Sequence, residues 1–415
     1  MAKIKAKERL FAQIKAIGVI RIGLVTILAV VGVWYSFAFA LSGITRNKNP
    51  QLALMFTPSD SAALASRADQ LFFANPEKPS PQVRTLALSA LREQALNPKA
   101  QRLLGYYADS RGQSVMAENF VRSAAKLSRR ELGAQLWLIE DEARNGSPQQ
   151  TLIHYDIALR TKPEAQTILF PRLLNAIEDR EIRTALKPYI RGNNQWAYSF
   201  LRFANTQSKN LPAVVDLIVE TGGLTNRKAA QDHQLVLLER LVREKYFADA
   251  RRLFLQMPGA QQSRLTNATF DQADRDSRHG PVGWQFVNDP DAEAGLFGKS
   301  GDSKLSISIY VNSATTQPVA KKLLYLSPGG YSLSVKLAAL DRGDSGFLRW
   351  QMRCASQDNN PPLWTLDSIS TATRAVFSVP ANCPVQFLEL IGSGGKGQNG
   401  LQATIDNVAI MPNAN

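Results

Sequence analysis

The stretch LSISIYV, residues 305–311, alternates apolar and polar side chains without a break. A period of two residues is typical of a β-strand that buries one face and exposes the other. The buried face would carry Leu305, Ile307, Ile309 and Val311, and the wet face Ser306, Ser308 and Tyr310. The same alternation returns at residues 331–337, so this part of the chain is predicted to form sheets.

Further strands are predicted outward from this stretch, separated by Gly, Pro, Asn and Asp. They lie at residues 346–354, 374–379, 385–391 and 401–410. Eight or nine short strands after residue 265 indicate an antiparallel β-sandwich or jelly roll. The spacing of apolar residues is different before this region. Residues 61–257 repeat apolar positions every three or four residues, as helices do.

One predicted strand, residues 347–354, has two chemically different sides. Leu348, Trp350, Met352 and Cys354 are expected to face the core. Arg349, Gln351 and Arg353, with Ser332, Ser334 and Lys336 of another strand, are expected to form a polar, basic face that contacts a ligand. The alternative is the ordinary wet side of an antiparallel sheet.

The chain has two cysteines, Cys354 and Cys383. Two thiols alone in an exported region usually form one disulfide, which can contribute ~3 kcal/mol to stability. The alternative is a reactive thiol.

Residues 22–44 form a run without a single charge, and the flank before it is the more basic one. About 20 apolar helical residues cross a bilayer core, and the basic flank stays on the cytoplasmic side. We therefore expect a single-pass inner-membrane protein of a bacterial envelope, with its N-terminus in the cytoplasm and its bulk in the periplasm. The alternative is a signal sequence cleaved after Ala40, since Ala38-Phe39-Ala40 fits the cleavage pattern.

Half of the net charge of +14 lies near this run, and the rest is spread over the helical part among many acidic residues. Residues 1–50 carry 8 basic and 1 acidic side chains, and residues 266–415 carry 12 and 13. No basic block with interleaved aromatic residues is present, so nucleic acid is not an expected partner.

The helical part resembles the tetratricopeptide repeat (TPR) superfamily. Ala124 and Ala158 lie 34 residues apart, the length of that repeat. The residues that carry the resemblance and would pack the repeats are Leu104, Gly105, Ala117 and Ala124 in one copy and Leu138, Tyr155, Ala158 and Pro163 in the next. The resemblance implies an α-solenoid that binds a protein partner. A helical-hairpin array without a binding groove is the alternative, and Pro171, Pro188 and Pro212 mark expected helix breaks.

The strand-rich part resembles carbohydrate-binding modules of the galactose-binding-like jelly-roll type. The residues that carry this resemblance are Asn267, Phe270, Asp271, Trp284, the turn at residues 326–331 and the last strand at residues 405–410. The resemblance implies glycan binding and a structural calcium held by Asp271 and Asp406, with a metal-free fold as the alternative. Trp364, in the loop after Asn359-Asn360-Pro361-Pro362, is the aromatic candidate for stacking on a sugar.

No catalytic constellation is visible, since none of the three histidines has a patterned nucleophile or carboxylate nearby. The sequence therefore predicts a non-enzymatic adaptor in exopolysaccharide or envelope-polysaccharide assembly or export, without a cofactor other than the calcium already named. Its predicted parts are a cytoplasmic tail (1–21), a transmembrane helix (22–44), a linker (45–60), TPR-like repeats (61–260) and a jelly roll (265–415). The alternatives are an envelope glycan-processing enzyme and a purely protein-docking module.

Overall fold

A computed structural model of the chain describes residues 2–192, 194–224, 228–275, 277–298, 305–357, 361–367, 372–396 and 399–413. Its N-terminal part is helical, and its C-terminal part consists of two antiparallel sheets. The chain divides into two compact units, Met1–Leu169 and Phe170–Asn415.

The helices fill most of the chain before residue 255. They are α1 (Ala2–Thr45), α2 (Pro50–Phe56), α3 (Ser61–Ala74), α4 (Pro81–Glu93), α5 (Pro98–Asp109), α6 (Ser114–Leu127), α7 (Leu132–Arg144), α8 (Pro148–Thr161), α9 (Gln166–Ala176), α10 (Arg180–Arg191), α11 (Gln195–Gln207), α12 (Leu211–Thr221), α13 (Lys228–Arg243), α14 (Phe247–Phe254) and the short α15 (Gln272–Arg275). Within the described residues, one helix is long and apolar enough to cross a membrane, at Gly23–Thr45 of α1, where the mean hydropathy is 2.2.

Several helices begin at a capping residue followed by proline. Asn97 accepts a hydrogen bond from the Ala100 amide (3.0 Å) and precedes Pro98, which opens α5. Ser80 and Pro81 play the same parts at the start of α4. A capping oxygen satisfies a free amide of the first turn, and proline fits there because it has no amide hydrogen to leave unpaired.

Consecutive helices of the first unit pack against each other as hairpins, α3 with α4, α5 with α6 and α7 with α8. Gly105 of α5 lies so close to α6 that an added Cβ would stand 2.5 Å from Val121 Cγ2 and 3.1 Å from the Ala117 carbonyl oxygen. Arg102 joins successive hairpins, since it pairs with Asp69 at 2.6 Å and with Glu131 at 2.7 Å. The structure thus places small residues where the helices cross closely. Ala117, Ala124 and Ala158 are likewise buried.

Gly105→Ala is expected to destabilise the helical unit by about 1 kcal/mol, because the clash outweighs the higher helix propensity of alanine. In a Val121→Ala background the loss should shrink or reverse, since the Cγ2 atom is gone. Urea unfolding followed by far-UV circular dichroism measures both values. Equal losses in the two backgrounds would contradict the close crossing.

Two of the expected helix breaks were wrong. Pro171 lies inside α9 and Pro188 inside α10, whereas Pro212 lies in the first turn of α12. Ile190, two residues after Pro188, is buried, as is Leu173, two residues after Pro171. Packing of such neighbours offsets the hydrogen bond that an internal proline removes.

The strands are β1 (Gln285–Phe286), β2 (Asn288–Asp289), β3 (Ala292–Phe297), β4 (Ser306–Val311), β5 (Thr316–Leu324), β6 (Gly329–Asp341), β7 (Phe347–Cys354), β8 (Trp364–Asp367), β9 (Ala372–Val379), β10 (Gln386–Ser393) and β11 (Leu401–Pro412). The five-stranded sheet has the order β1-β5-β10-β7-β8, and the six-stranded sheet has the order β2-β3-β4-β11-β6-β9.

The two sheets share one apolar core, to which both contribute alternate residues. Ile307 and Ile309 come from the six-stranded sheet, and Leu348, Trp350 and Met352 from the five-stranded sheet. The predicted alternation of residues 305–311 and 347–354 is therefore confirmed. The Trp350 ring packs edge-on against Trp284, with centroids 6.0 Å apart.

The predicted disulfide is also confirmed. Cys354 ends β7, and Cys383 lies in the turn before β10, with their Cα atoms 5.5 Å apart. The bond closes a loop that contains β8 and β9.

Candidate functional site

The three predicted binding residues of β7 lie on the outer side of the five-stranded sheet. A polar row crosses that whole sheet at one register, through Thr365, Gln351, Glu389, Lys321 and Gln285. Gln351 Nε2 donates to Glu389 Oε2 at 2.7 Å, and Lys321 Nζ lies 3.4 Å from Glu389 Oε1. The face is therefore balanced in charge at this row.

Arg349 also has an acidic partner. Its Nε donates to Asp367 Oδ1 at 2.7 Å, and this hydrogen bond raises the pKa of the guanidinium above its ordinary value. Its guanidinium lies 4.8 Å from the centre of the Phe347 ring. Arg353 lies opposite Phe387 on β10. A ligand of this face would have to compete with ion pairs that are already formed.

The predicted combination of this face with Ser332, Ser334 and Lys336 was wrong. These residues belong to β6 of the six-stranded sheet, whereas Arg349 belongs to β7 of the five-stranded sheet. The sheets pack face to face, so their wet sides lie on opposite sides of the sandwich.

Trp364 is the first residue of β8, while Asn359 and Asn360 before it lie outside the described residues. Its ring stacks on Phe377, with centroids 5.0 Å apart, and Phe377 in turn stacks on Tyr331 at 5.8 Å. The indole is half-buried and packs against the sandwich core. One face of the ring is thus already covered, and stacking of Trp364 on a sugar stays a prediction.

The two candidate calcium ligands each have a protein partner. Asp271 forms an ion pair with Arg264, and Asp406 accepts a hydrogen bond from the Ser306 hydroxyl at 2.9 Å. Among the residues that the structure describes, no three His, Cys, Asp or Glu side chains gather as a metal site. The calcium assignment therefore also stays a prediction.

An open aromatic site lies on the wet side of the six-stranded sheet, between β3 and β4. A groove of about 250 Å³ runs there between two exposed rings, Phe297 (45% exposed) and Tyr310 (41% exposed). Gly295 and Ser308 face each other at its centre. A Cβ added to Gly295 would meet nothing within 4 Å, so the missing side chain is what leaves the groove open.

The two rings stand at opposite ends of this groove. Phe297 pairs with Ser306, and Tyr310 lies four residues further along β4, roughly 13 Å away at the usual strand rise. Glu293 pairs with Tyr310 and supplies a carboxylate at that end. Across the sheet the face continues to Gln402 and Thr404 of β11. We call the set Glu293, Gly295, Phe297, Ser308 and Tyr310 the aromatic groove.

Sequence reasoning missed the aromatic groove, although one signal pointed to it. The alternation of residues 305–311 already placed the Tyr310 ring on the wet side. The pairing of β3 with β4, which brings Gly295 and Phe297 beside it, was not visible in the sequence.

A second groove, of about 310 Å³, lies in the helical unit. Phe72 of α3, Tyr106 of α5 and Trp137 of α7 line it, together with Asp109, whose carboxylate accepts the Trp137 indole hydrogen at 2.9 Å. Tyr106 Oη also donates to the Gly133 carbonyl at 2.7 Å, and burial raises the Tyr106 pKa to about 12. Leu138 and Tyr155 are buried in the same array, and Pro163 opens a 3₁₀ turn after α8.

No sequence-family model and no curated protein matches the chain. Solved structures that are similar to the chain include three that each cover 35% of it. The carbohydrate-binding module TmCBM61, in complex with β-1,4-galactotriose, is 8% identical over 99% of that chain, with a TM-score of 0.25. The enzymatically active domain of tailspike protein 4 of bacteriophage CBA120 is 7% identical over 21% of that chain, with a TM-score of 0.26. A CBM4 structure is 13% identical over 94% of that chain, with a TM-score of 0.23. These values are too low to assign a family or a function.

Proposed function

We propose that this chain is a membrane-anchored glycan-binding protein of the bacterial envelope, and that the aromatic groove is its glycan site. The observation that carries the proposal is the pair of exposed rings, Phe297 and Tyr310, at the two ends of an open groove floored by Gly295.

The chemistry of the groove suits an oligosaccharide. A pyranose has apolar faces, which an aromatic ring covers, and hydroxyl groups around its edge, which need polar partners. The Ser308 hydroxyl lies between the rings, and the Glu293 carboxylate lies beside the Tyr310 ring. The separation of the rings is that of a short oligosaccharide rather than of a single sugar.

The same groove favours binding over hydrolysis. Glycosidases use two carboxyl groups on either side of the scissile bond. Among the described residues that line the groove, Glu293 alone carries a carboxylate. We therefore propose a non-enzymatic role.

The helical unit extends the proposal to an adaptor. The groove across α3, α5 and α7 is formed by the first helices of successive hairpins and is lined by Phe72, Tyr106 and Trp137. This is the surface on which a helical repeat protein would hold a partner protein. With α1 in the inner membrane, the chain would connect that partner to a polysaccharide during its assembly or export. The TPR-type solenoid and the jelly-roll topology belong to this proposal as well.

A glycan array probed with the full chain in detergent tests the glycan site, with release of reducing ends measured on the same glycans. Binding without release is the expected result. Hydrolysis would replace the proposal with a glycan-processing enzyme, and absence of binding would leave a protein-docking module.

The adaptor role has its own test. A photo-crosslinking residue at Leu136, which lines the helical groove, should capture a defined envelope protein in native membranes. The same residue placed at Val115, exposed on α6, is the control. Equal capture at the two positions would contradict a specific partner.

A further inference from the structure

The short helix α2 has an unusual composition for a segment outside a membrane helix. Residues 49–59, which contain it, carry no charged side chain, and α2 itself reads PQLALMF. Met55 is 78% exposed. Exposed apolar surface is one of the features that mark a membrane or protein interaction site.

The contacts of α2 fix its position along α1. The Phe56 ring lies 6.3 Å from the Trp34 ring and 6.4 Å from the Phe37 ring, measured between centroids. Ala38 of α1 is buried in the fold. The chain therefore turns back after Thr45, and α2 lies beside the last turns of α1.

Those last turns lie at hydrocarbon depth if α1 crosses a bilayer. A span that starts at Gly23 and needs about 20 residues reaches residue 42, five residues beyond Phe37. Phe56 touches Trp34 and Phe37, so it shares their depth.

A polar cluster marks the point where the hydrocarbon would end. The Ser42 hydroxyl donates to Asp60 Oδ2 at 2.6 Å, and the Thr57 hydroxyl donates to Ser42 Oγ at 2.7 Å. Asp60 also caps α3 by accepting from the Ala62 amide at 2.9 Å. A carboxylate is costly in hydrocarbon, so Asp60 belongs at the surface and the apolar side chains of α2 belong below it.

We propose that α2 is inserted in the outer leaflet of the membrane beside α1, with Leu52, Met55 and Phe56 among the lipid acyl chains. This inference rests on the proposed membrane anchor. It makes the anchor a helical pair joined to α3, rather than a single helix followed by a flexible linker. Cleavage after Ala40 would remove Trp34, Phe37 and Ala38 from this packing.

Cysteine labelling of the full chain in vesicles of phosphatidylethanolamine and phosphatidylglycerol tests the insertion. The native cysteines are bonded to each other, so Met55→Cys introduces one reactive thiol. Val115→Cys is the matched control, because Val115 is 76% exposed against 78% for Met55. Its labelled fraction also measures how many molecules face outward.

With a membrane-impermeant maleimide, Met55→Cys should react about tenfold or more slowly than Val115→Cys, because the thiolate that reacts is excluded from hydrocarbon. Equal rates in chains that resist carbonate extraction would overturn the insertion and leave the anchor standing. Extraction by carbonate would overturn both. If Met55→Cys were protected from the maleimide in native membranes but not in the vesicles, the surface would be covered by another protein. That result would also overturn the insertion.

Discussion

Replacing Phe297 and Tyr310 together by alanine is expected to weaken glycan binding about a thousandfold, at about 2 kcal/mol for each ring. Both rings are exposed at the ends of the groove. The variant should therefore fold as the parent does, and its loss should be one of contact with the sugar. Isothermal titration of the full chain with the strongest oligosaccharide from the array measures the effect.

The control for this prediction is Val376→Ala. Val376 is an apolar residue of the same sheet that is even more exposed, at 72%, but it lies on the edge strand β9. Its replacement should leave the affinity unchanged. If both variants bound as the parent does, the glycan site would lie elsewhere, and the face around Arg349 and Gln351 would be the next to examine.

Lys322→Met is expected to stabilise the second unit at neutral pH by about 2 kcal/mol, the usual gain when a buried charge is replaced by an apolar side chain. Lys322 lies on the inner side of β5 and is fully buried, with its Nζ 5.9 Å from the centre of the Trp284 ring. Within the described residues, this Nζ has no hydrogen-bond partner. Loss of solvation lowers the Lys322 pKa to about 8, although the buried Asp274 carboxylate favours the charged form.

The pH dependence follows from this lowered pKa. Below pH 8 the buried amine is charged in the folded state, and the folded state is destabilised by the full free energy of burying that charge. Above pH 8 the folded state loses the proton while the unfolded state keeps it up to about pH 10.5, so the stability of the parent rises by about 1.4 kcal/mol per pH unit. The rise should be measured below pH 10. Burial raises the pKa of Tyr325 and Tyr106, so at higher pH the unfolded state loses their protons before the folded state does, and the stability of the chain falls.

Urea unfolding at pH 7, 8, 9 and 10, followed by tryptophan fluorescence, measures the free energy of unfolding of the parent and of the variants. Lys322→Met should abolish the rise. Lys321→Met, which removes the neighbouring, partly exposed amine, should preserve it. A rise that persists in Lys322→Met would mean that another group titrates.

The local patterns of the sequence predicted much of the fold. Alternation placed Trp350, Met352 and Cys354 on the core side of β7, and small residues at Gly105 and Ala117 located a close helix crossing. These properties depend on residues close together in the chain. The two cysteines could be paired because there were only two.

Properties that depend on distant pairing could not be predicted. Ser334 and Arg349 both lie on the polar, outer sides of their strands, yet the two strands belong to different sheets. Gly295 becomes the floor of a groove only because β3 pairs with β4 in the register that sets it opposite Ser308. A helix break was predicted at Pro188 because proline removes a helical hydrogen bond. The packing of buried neighbours in α10 outweighs this local effect.

The most direct test of the glycan site fills the aromatic groove without disturbing the fold, by means of Gly295→Val. A Cβ at this position meets nothing within 4 Å, and a β-branched residue in a strand should raise stability by about 0.5–1 kcal/mol over glycine. The control is Ser378→Val, at an exposed position of β9 in the same sheet. We predict that Gly295→Val is at least as stable as the parent and no longer binds the oligosaccharide, while Ser378→Val binds normally. Undiminished binding by a stable Gly295→Val chain would contradict the glycan site proposed here.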